Sequence, residues 1–207
     1  MTAAPEVVVM RTGTANLASV LAGLRRAGTA PRLSDALADV ERARRLVLPG
    51  VGTLAAAMAA LADGRDRALA ERVCAGRPTL AICLGLQILL DGSEESPDAA
   101  GVGAFAGRAT RFGAGARVPQ LGWNRVAADR DCELVESGYY YFANSYRLER
   151  PPAGTRAARS DHGGPFVAAF ERGAVLACQC HPELSGDAGI ELLCRWVAAA
   201  DGGGAAC

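Results

Sequence analysis

The chain has 207 residues, half of them apolar, which suits one substantial α/β domain with a single core. Its 22 basic residues balance its 22 acidic ones and all are arginine, so no basic stripe marks a nucleic-acid partner. The start lacks the basic residues and long apolar run of a secretion signal, and no window reaches the length of a membrane span, so a cytoplasmic protein is expected.

An apolar run at 7–10 predicts the first strand; after the turn RTGTAN, Leu17, Val20, Leu21 and Leu24 recur at helical spacing until Gly28. A weaker strand and a short helix are expected within 31–38. Residues 46–48 form a compact apolar strand, broken by Pro49 and the glycines of LPGVG, and helices follow over 53–61 and 67–74. After Gly76 a strand is predicted at 79–82 and a helix at 84–90. Alternation at such short intervals implies a mostly parallel sheet covered on both faces. From 107 to 172 the helical stripe disappears. Short runs such as YYYFANSY and PFVAAF, separated by Gly, Pro and Asp, read as antiparallel strands added to one side of the same domain. A last strand at 175–180 leads through HPELSGDAG into a helix with Ile190, Leu193, Cys194 and Val197 on one face. No repeat or linker divides the chain, so 1–200 is expected to be one domain and the tail, 201–207, to be disordered.

Three strand ends carry chemistry. Cys83 falls at the join of the 79–82 strand and the next helix, where a side chain is held above the carboxyl edge of the sheet beside the first helical amides. Those amides favour a thiolate and can hold an oxyanion, although a cysteine also suits a small buried apolar position. Gly85 relieves crowding behind it. His181 stands where the last strand ends, and Glu183, beyond the stiffening Pro182, is spaced to orient the imidazole, unless His-Pro-Glu is a plain turn. Gly50 and Gly52 free the backbone so that the Val51 N–H can turn toward a reacting carbonyl. Each signal alone is weak, but together they supply a nucleophile, a base with its orienter, and an oxyanion donor. His162, in SDHGGP, is expected in a surface loop. The seven cysteines are odd in number and scattered, which predicts reduced thiols. Cys178 and Cys180 with His181 form a conceivable metal set. Alternate strand positions, however, put the two thiols on one face and Gln179 and His181 on the other, and no second cysteine pair has a zinc-like spacing. No metal is expected, and these thiols are assigned to core packing.

The segments GTANLASV, LPGVGTLAAAM, ICLGLQILLDGSEES, RVPQLGWNRV, YYYFANSY and QCHPELSG occur in this order over nearly the whole chain. In them the sequence resembles the class I glutamine amidotransferases, and specifically the glutaminase subunits of imidazole glycerol phosphate synthases in histidine biosynthesis. Other glutaminases share the nucleophile elbow and His-x-Glu; P-x-x-G-W-N followed by Y-F-x-x-S-Y is the more discriminating pair. The resemblance implies a three-layer, flavodoxin-like α/β fold, its central sheet mostly parallel with added antiparallel strands. It implies Cys83 as nucleophile, His181 as general base and Glu183 as orienter, with an oxyanion hole from Gly50, Val51 and the amide of Leu84. Gly52, Gln87 and the backbone around Asn144 and Ser145 would hold the glutamine, and no cofactor is implied.

The implied partner is a (β/α)8-barrel cyclase subunit, joined as a heterodimer. It would dock over the glutaminase site and conduct ammonia to its own phosphoribulosyl-formimino substrate, giving imidazole glycerol phosphate and AICAR. Trp123 and Tyr140 or Tyr141 are expected exposed near that contact. The glycines at 50 and 52 suggest that the peptide between Gly50 and Val51 flips only when the cyclase holds its ligand. Departures from the family pattern fall at Arg11, Thr12, Ala81, Gln120, Asn144 and Leu184, none of them in the triad. Two other readings stay open: the glutaminase of a paralogous synthase in another pathway, and a catalytically silent regulatory module, against which the intact Cys83, His181 and Glu183 weigh.

Overall fold

The apolar runs pair into a nine-stranded sheet. The computed structural model describes residues 3–12 and 16–199; positions 13–15 of the first turn and the tail expected to be disordered lie outside the described residues. In chain order the elements are β1 (Glu6–Met10), α1 (Leu17–Arg26), β2 (Ala30–Ser34), α2 (Leu37–Arg42), β3 (Leu46–Leu48), α3 (Leu54–Leu61) and α4 (Arg65–Cys74). Then come β4 (Thr79–Ile82), α5 (Leu84–Leu89), β5 (Gly92–Ser93), β6 (Ser96–Ala100), β7 (Arg108–Arg111), β8 (Gln120–Ala128), β9 (Gly138–Asn144) and β10 (Tyr146–Arg147). The chain finishes with β11 (Arg156–Asp161), β12 (Pro165–Arg172), β13 (Val175–Cys178), a 3-10 turn (Pro182–Leu184) and α6 (Gly186–Ala199).

The large sheet runs β2-β1-β3-β4-β13-β12-β11-β8-β9. Pairing is parallel from β2 to β13 and antiparallel from β13 to β9. The central part is thus parallel and the added antiparallel strands lie on one side, as expected; they contribute as many pairings as the parallel part. A second, four-stranded sheet, β10-β7-β5-β6, was not predicted; its segment SEESPDAA is polar and carries little strand pattern.

Burial on both faces explains the unbroken apolar runs of the parallel strands. Val7, Val9, Val47, Leu80, Ile82 and Leu176 pack with Val20 and Leu24 of α1 and with Leu192, Leu193 and Trp196 of α6. The alternate residues Val8, Met10, Leu46, Leu48, Ala81 and Ala177 pack with Leu54 and Leu61 of α3, Leu69 and Val73 of α4 and Leu86 of α5. This is the period of two in a three-layer arrangement. The register is level at the carboxyl edge: Leu48 pairs with Ala81, and Cys178 with Ile82. The residues just beyond β3, β4 and β13 therefore emerge side by side, at the edge where open α/β sheets assemble their sites.

β13 ends at Cys178, two residues before its predicted end. The Gln179 amide still bonds to Ala168 O of β12 (2.8 Å), but the His181 amide swings across to Tyr141 O of β9 (2.8 Å). That swing carries His181 out of the sheet and over its edge.

Candidate active site

Cys83 has φ 54° and ψ −109°, the one non-glycine with positive φ among the described residues. Such a conformation costs on the order of 1–3 kcal/mol and persists because its surroundings impose it. The Cys83 amide is tied to Cys178 O at 2.7 Å, and α5 starts at the next residue. Gly85 makes the approach of α5 to β3 possible, since a Cβ there would stand 2.1 Å from Leu48 O. Gly50 serves in a different way from the one the sequence suggested. It is not in the left-handed region; a Cβ on it would sit 2.8 Å from Leu84 Cβ, so what it provides is space, while Gly52 carries the positive φ of 97°.

His181 and Glu183 are both buried, with Nδ1 and Oε1 2.8 Å apart. The turn that joins them is fixed by Ser185, whose hydroxyl donates to His181 O (2.6 Å) and accepts from the Tyr141 amide (2.9 Å). Burial opposes a charge on the imidazole, but hydrogen bonding and Coulombic attraction from Cys83 and then Glu183 outweigh it and raise its pKa to about 10. The Nε2 atom is buried with no well-aligned hydrogen-bond partner. His181 and Glu183 line a very small cavity with Gly50, Val51 and Ile82, behind the elbow.

On the open side of Cys83 lies a pocket of about 140 Å³, well below the roughly 300–1,000 Å³ of pockets for drug-sized ligands and suited to a small metabolite. It brings together Cys83, Val51, Gly52, Leu84, Gln87, Asn144 and Ser145, all foreseen, and adds Glu95 and Tyr146, which were not. Glu95 accepts from the Leu54 amide (3.2 Å) and Ser96 Oγ from that of Ala55 (3.2 Å), so the pair caps the N-terminus of α3. Burial raises the Glu95 carboxyl above its usual range, and the Leu54 amide offsets part of that rise. The signal for it was the acidic pair in GSEES just after the elbow helix, where a polar loop is the default reading. Two pocket-lining residues also hold buried carbonyl oxygens without a partner, Gln87 Oε1 and Asn144 Oδ1.

The 50–52 loop, the candidate oxyanion donor, has a defined orientation. The Leu84 amide donates to Gly50 O at 3.3 Å. The Gly50–Val51 peptide thus presents its carbonyl to Leu84, and in a planar trans peptide the N–H points the opposite way. Thr12, one of the departures, anchors this loop through a buried hydroxyl that donates to Pro49 O (2.7 Å). Gln120 and Asn144, two others, face each other across β8 and β9, both buried.

Beside the pocket the β8–β9 hairpin shows an apolar face: Leu121 is 68 % exposed, Trp123 56 % and Tyr139 63 %. The Trp123 ring meets the edge of Tyr141 at 6.2 Å. Tyr140 corrects the expectation of an exposed ring. It is buried, its hydroxyl donating to Glu136 O (3.1 Å), because strand alternation turns 140 and 142 inward when 139 and 141 face out. Cys178 and Cys180 are buried in the core. His162 lies in the β11–β12 turn, with Nε2 2.6 Å from Arg117 O.

The model of the class-I glutamine amidotransferases matches residues 15–197. Imidazole glycerol phosphate synthase subunit HisH of Deinococcus radiodurans is 39 % identical over 201 residues, covering 94 % of either chain. Its counterpart in Symbiobacterium thermophilum is 40 % identical over 196 residues, 92 % of each, and that in Mycolicibacterium paratuberculosis 40 % over 200 residues, 93 % of this chain and 97 % of its own. Among solved structures, a glutamine amidotransferase aligns with TM-score 0.75 at 18 % identity, over 93 % of this chain and 98 % of its own. PurLQS from Thermotoga maritima aligns with TM-score 0.72 at 17 % identity, over 94 % and 98 %; these two likenesses speak for the fold alone. With its strained cysteine elbow, its His-Glu pair and identities near 40 % along almost its full length, the chain belongs to the class-I glutamine amidotransferases, in the branch of the imidazole glycerol phosphate synthase subunits HisH.

Proposed function

We propose that this chain hydrolyses glutamine as the amidotransferase subunit of an imidazole glycerol phosphate synthase in histidine biosynthesis, with Cys83, His181 and Glu183 as its catalytic triad. The observation that carries the reading is the pocket itself: the strained Cys83 lines it together with Glu95, Gln87 and Asn144, whose carboxylate and carbonyl oxygens are acceptors, those of Gln87 and Asn144 buried and without a partner. An α-ammonium has three N–H donors and a positive charge, which these acceptors match. The side-chain amide of the same molecule then reaches Cys83.

In the reaction the Cys83 sulfur, its proton held by His181, forms a C–S bond to the side-chain carbonyl carbon while the π electrons move to oxygen. Collapse of this adduct breaks the C–N bond, and His181 gives its proton to the departing ammonia. Glu183 holds Nδ1, so that Nε2 is the atom that exchanges protons. Water then gives a proton to His181, attacks the thioester and releases glutamate and the Cys83 sulfur.

The oxyanion needs donors that the resting loop directs elsewhere. Rotation of the Gly50–Val51 peptide withdraws Gly50 O from Leu84, frees that amide and turns the Val51 N–H inward. This is a gate, and the occupant that favours the turned state is the cyclase subunit with its ligand, docked on the Leu121, Trp123 and Tyr139 face beside the pocket. Ammonia passed directly across such a contact escapes protonation in bulk water.

A diazoketone analogue of glutamine tests the assignment in the complex with the cyclase. One adduct on Cys83, found by peptide mass spectrometry and prevented by glutamine but not by asparagine, is expected. A folded complex with no adduct, or an adduct that glutamine does not prevent, would count against it.

A further inference from the structure

Gln179 is a fully buried polar side chain that the reaction above leaves without a task. Its amide nitrogen points at Cys83 Sγ from 3.7 Å, within hydrogen-bonding distance for sulfur, while its Oε1 has no partner. A primary amide is costly to bury, and an arrangement that satisfies only its donor, on a sulfur, asks for a reason. The backbone explains how it gets there. The Gln179 amide keeps the ladder bond to Ala168, and its side chain is directed at Cys83 from the residue that leaves β13, two positions before His181. The last step of the strand therefore addresses the nucleophile from two sides.

The chemistry of the sulfur distinguishes its two forms. A thiolate only accepts hydrogen bonds, so an NH2 group aimed at it is matched; a neutral thiol has a proton of its own to place, and Ala143 O at 3.9 Å is where it points. We propose that Gln179 is a further catalytic contact to the nucleophile, its amide N–H donating to the Cys83 sulfur and favouring the thiolate over the thiol. The raised imidazole of His181 belongs to the same charge-separated pair. The titratable groups around the sulfur are His181 and Glu183 from the turn after β13, and Glu95 and Tyr146 in the pocket; Cys178 and Cys180 flank Gln179 in sequence. Gln179 differs from all of them in being a donor that carries no proton of its own to lose.

The inference rests on the glutaminase reading for its purpose but not for its test. Alkylation of Cys83 by iodoacetamide, followed peptide by peptide across pH, reads the thiolate directly and needs no turnover. In Gln179→Met, which keeps the length of the side chain and removes its donors, the midpoint is expected to rise by about one pH unit. Alkylation below the wild-type midpoint then slows about tenfold while the plateau above it stays. A folded variant whose profile superposes on the wild type overturns the proposal. A second measurement uses the wild-type chain. The side-chain 15N resonance of Gln179, assigned by its loss in Gln179→Met, should titrate with the alkylation midpoint and stay flat in Cys83→Ser; a flat resonance in the wild type overturns the proposal as well. A chain that fails to hydrolyse glutamine even with the liganded cyclase bound but gives these titrations would sink the glutaminase reading and leave this one standing.

Discussion

At Cys83 a backbone conformation, a helix start and a cavity wall coincide, and each depends on its neighbours. Gly85 lets the helix approach β3, Cys178 O holds the Cys83 amide, and Gln179 touches the sulfur. His181 depends on charge. Burial alone would lower its pKa, so the rise to about 10 comes from its attraction to Cys83 and Glu183. An NMR titration of His181 should therefore show the imidazole protonated through neutral pH and losing its proton near 10. Cys83→Ala removes a negative partner and moves that titration down; Glu183→Gln moves it the same way. A midpoint at the ordinary histidine value in the wild type would contradict the pairing. Glu95 makes the residue-scale prediction for binding. Glu95→Gln keeps the shape and one acceptor but removes the charge opposite an α-ammonium, so KM for glutamine should rise about tenfold or more with a smaller change in kcat. A KM within a factor of two of the wild type would place the ammonium elsewhere.

The elements matter because three of them end level. The register of β3 on β4 and of β4 on β13 brings the oxyanion loop, Cys83 and the His181 turn to one edge, and the α5–β3 contact holds that alignment. Gly85→Ala should break it: with a Cβ 2.1 Å from Leu48 O, α5 must lift from the sheet. A cost of about 3 kcal/mol, read as a lower urea midpoint, is expected together with loss of Cys83 reactivity. Much of this was legible beforehand. Leu46, Val47 and Leu48, or Leu80, Ala81 and Ile82, sit in the short unbroken apolar runs that buried parallel strands produce, and the elbow and LPGVG stand at their ends. What was hidden was set by tertiary contact. The end of β13 is decided by a bond from His181 to a strand 40 residues earlier in sequence, at Tyr141. Glu95 is placed by the N-terminus of α3, and YYYF contains four aromatics that cannot reveal which alternate set faces inward until one face is covered.

For the whole molecule, the pocket and the apolar β8–β9 face lie on neighbouring surfaces, so in the proposed assembly a partner seated on Leu121, Trp123 and Tyr139 would stand beside the 50–52 loop that it is proposed to turn. Large exposed aromatics at an interface centre commonly carry much of its binding energy. Trp123→Ala should weaken association with the cyclase by a factor of about 30 or more while the isolated chain keeps its thermal stability, because this ring is more than half exposed in the free chain. Unchanged affinity in a titration calorimeter would move the docking face elsewhere. The central claim joins chemistry and assembly, and one measurement addresses both: glutamate released from glutamine by the chain alone, with the cyclase subunit of the same source, and with that subunit holding its ligand, against Cys83→Ala. The account predicts little release from the isolated chain, strong stimulation by the liganded partner and none in the variant. Equal release in all three wild-type mixtures, or release that survives Cys83→Ala, would contradict it.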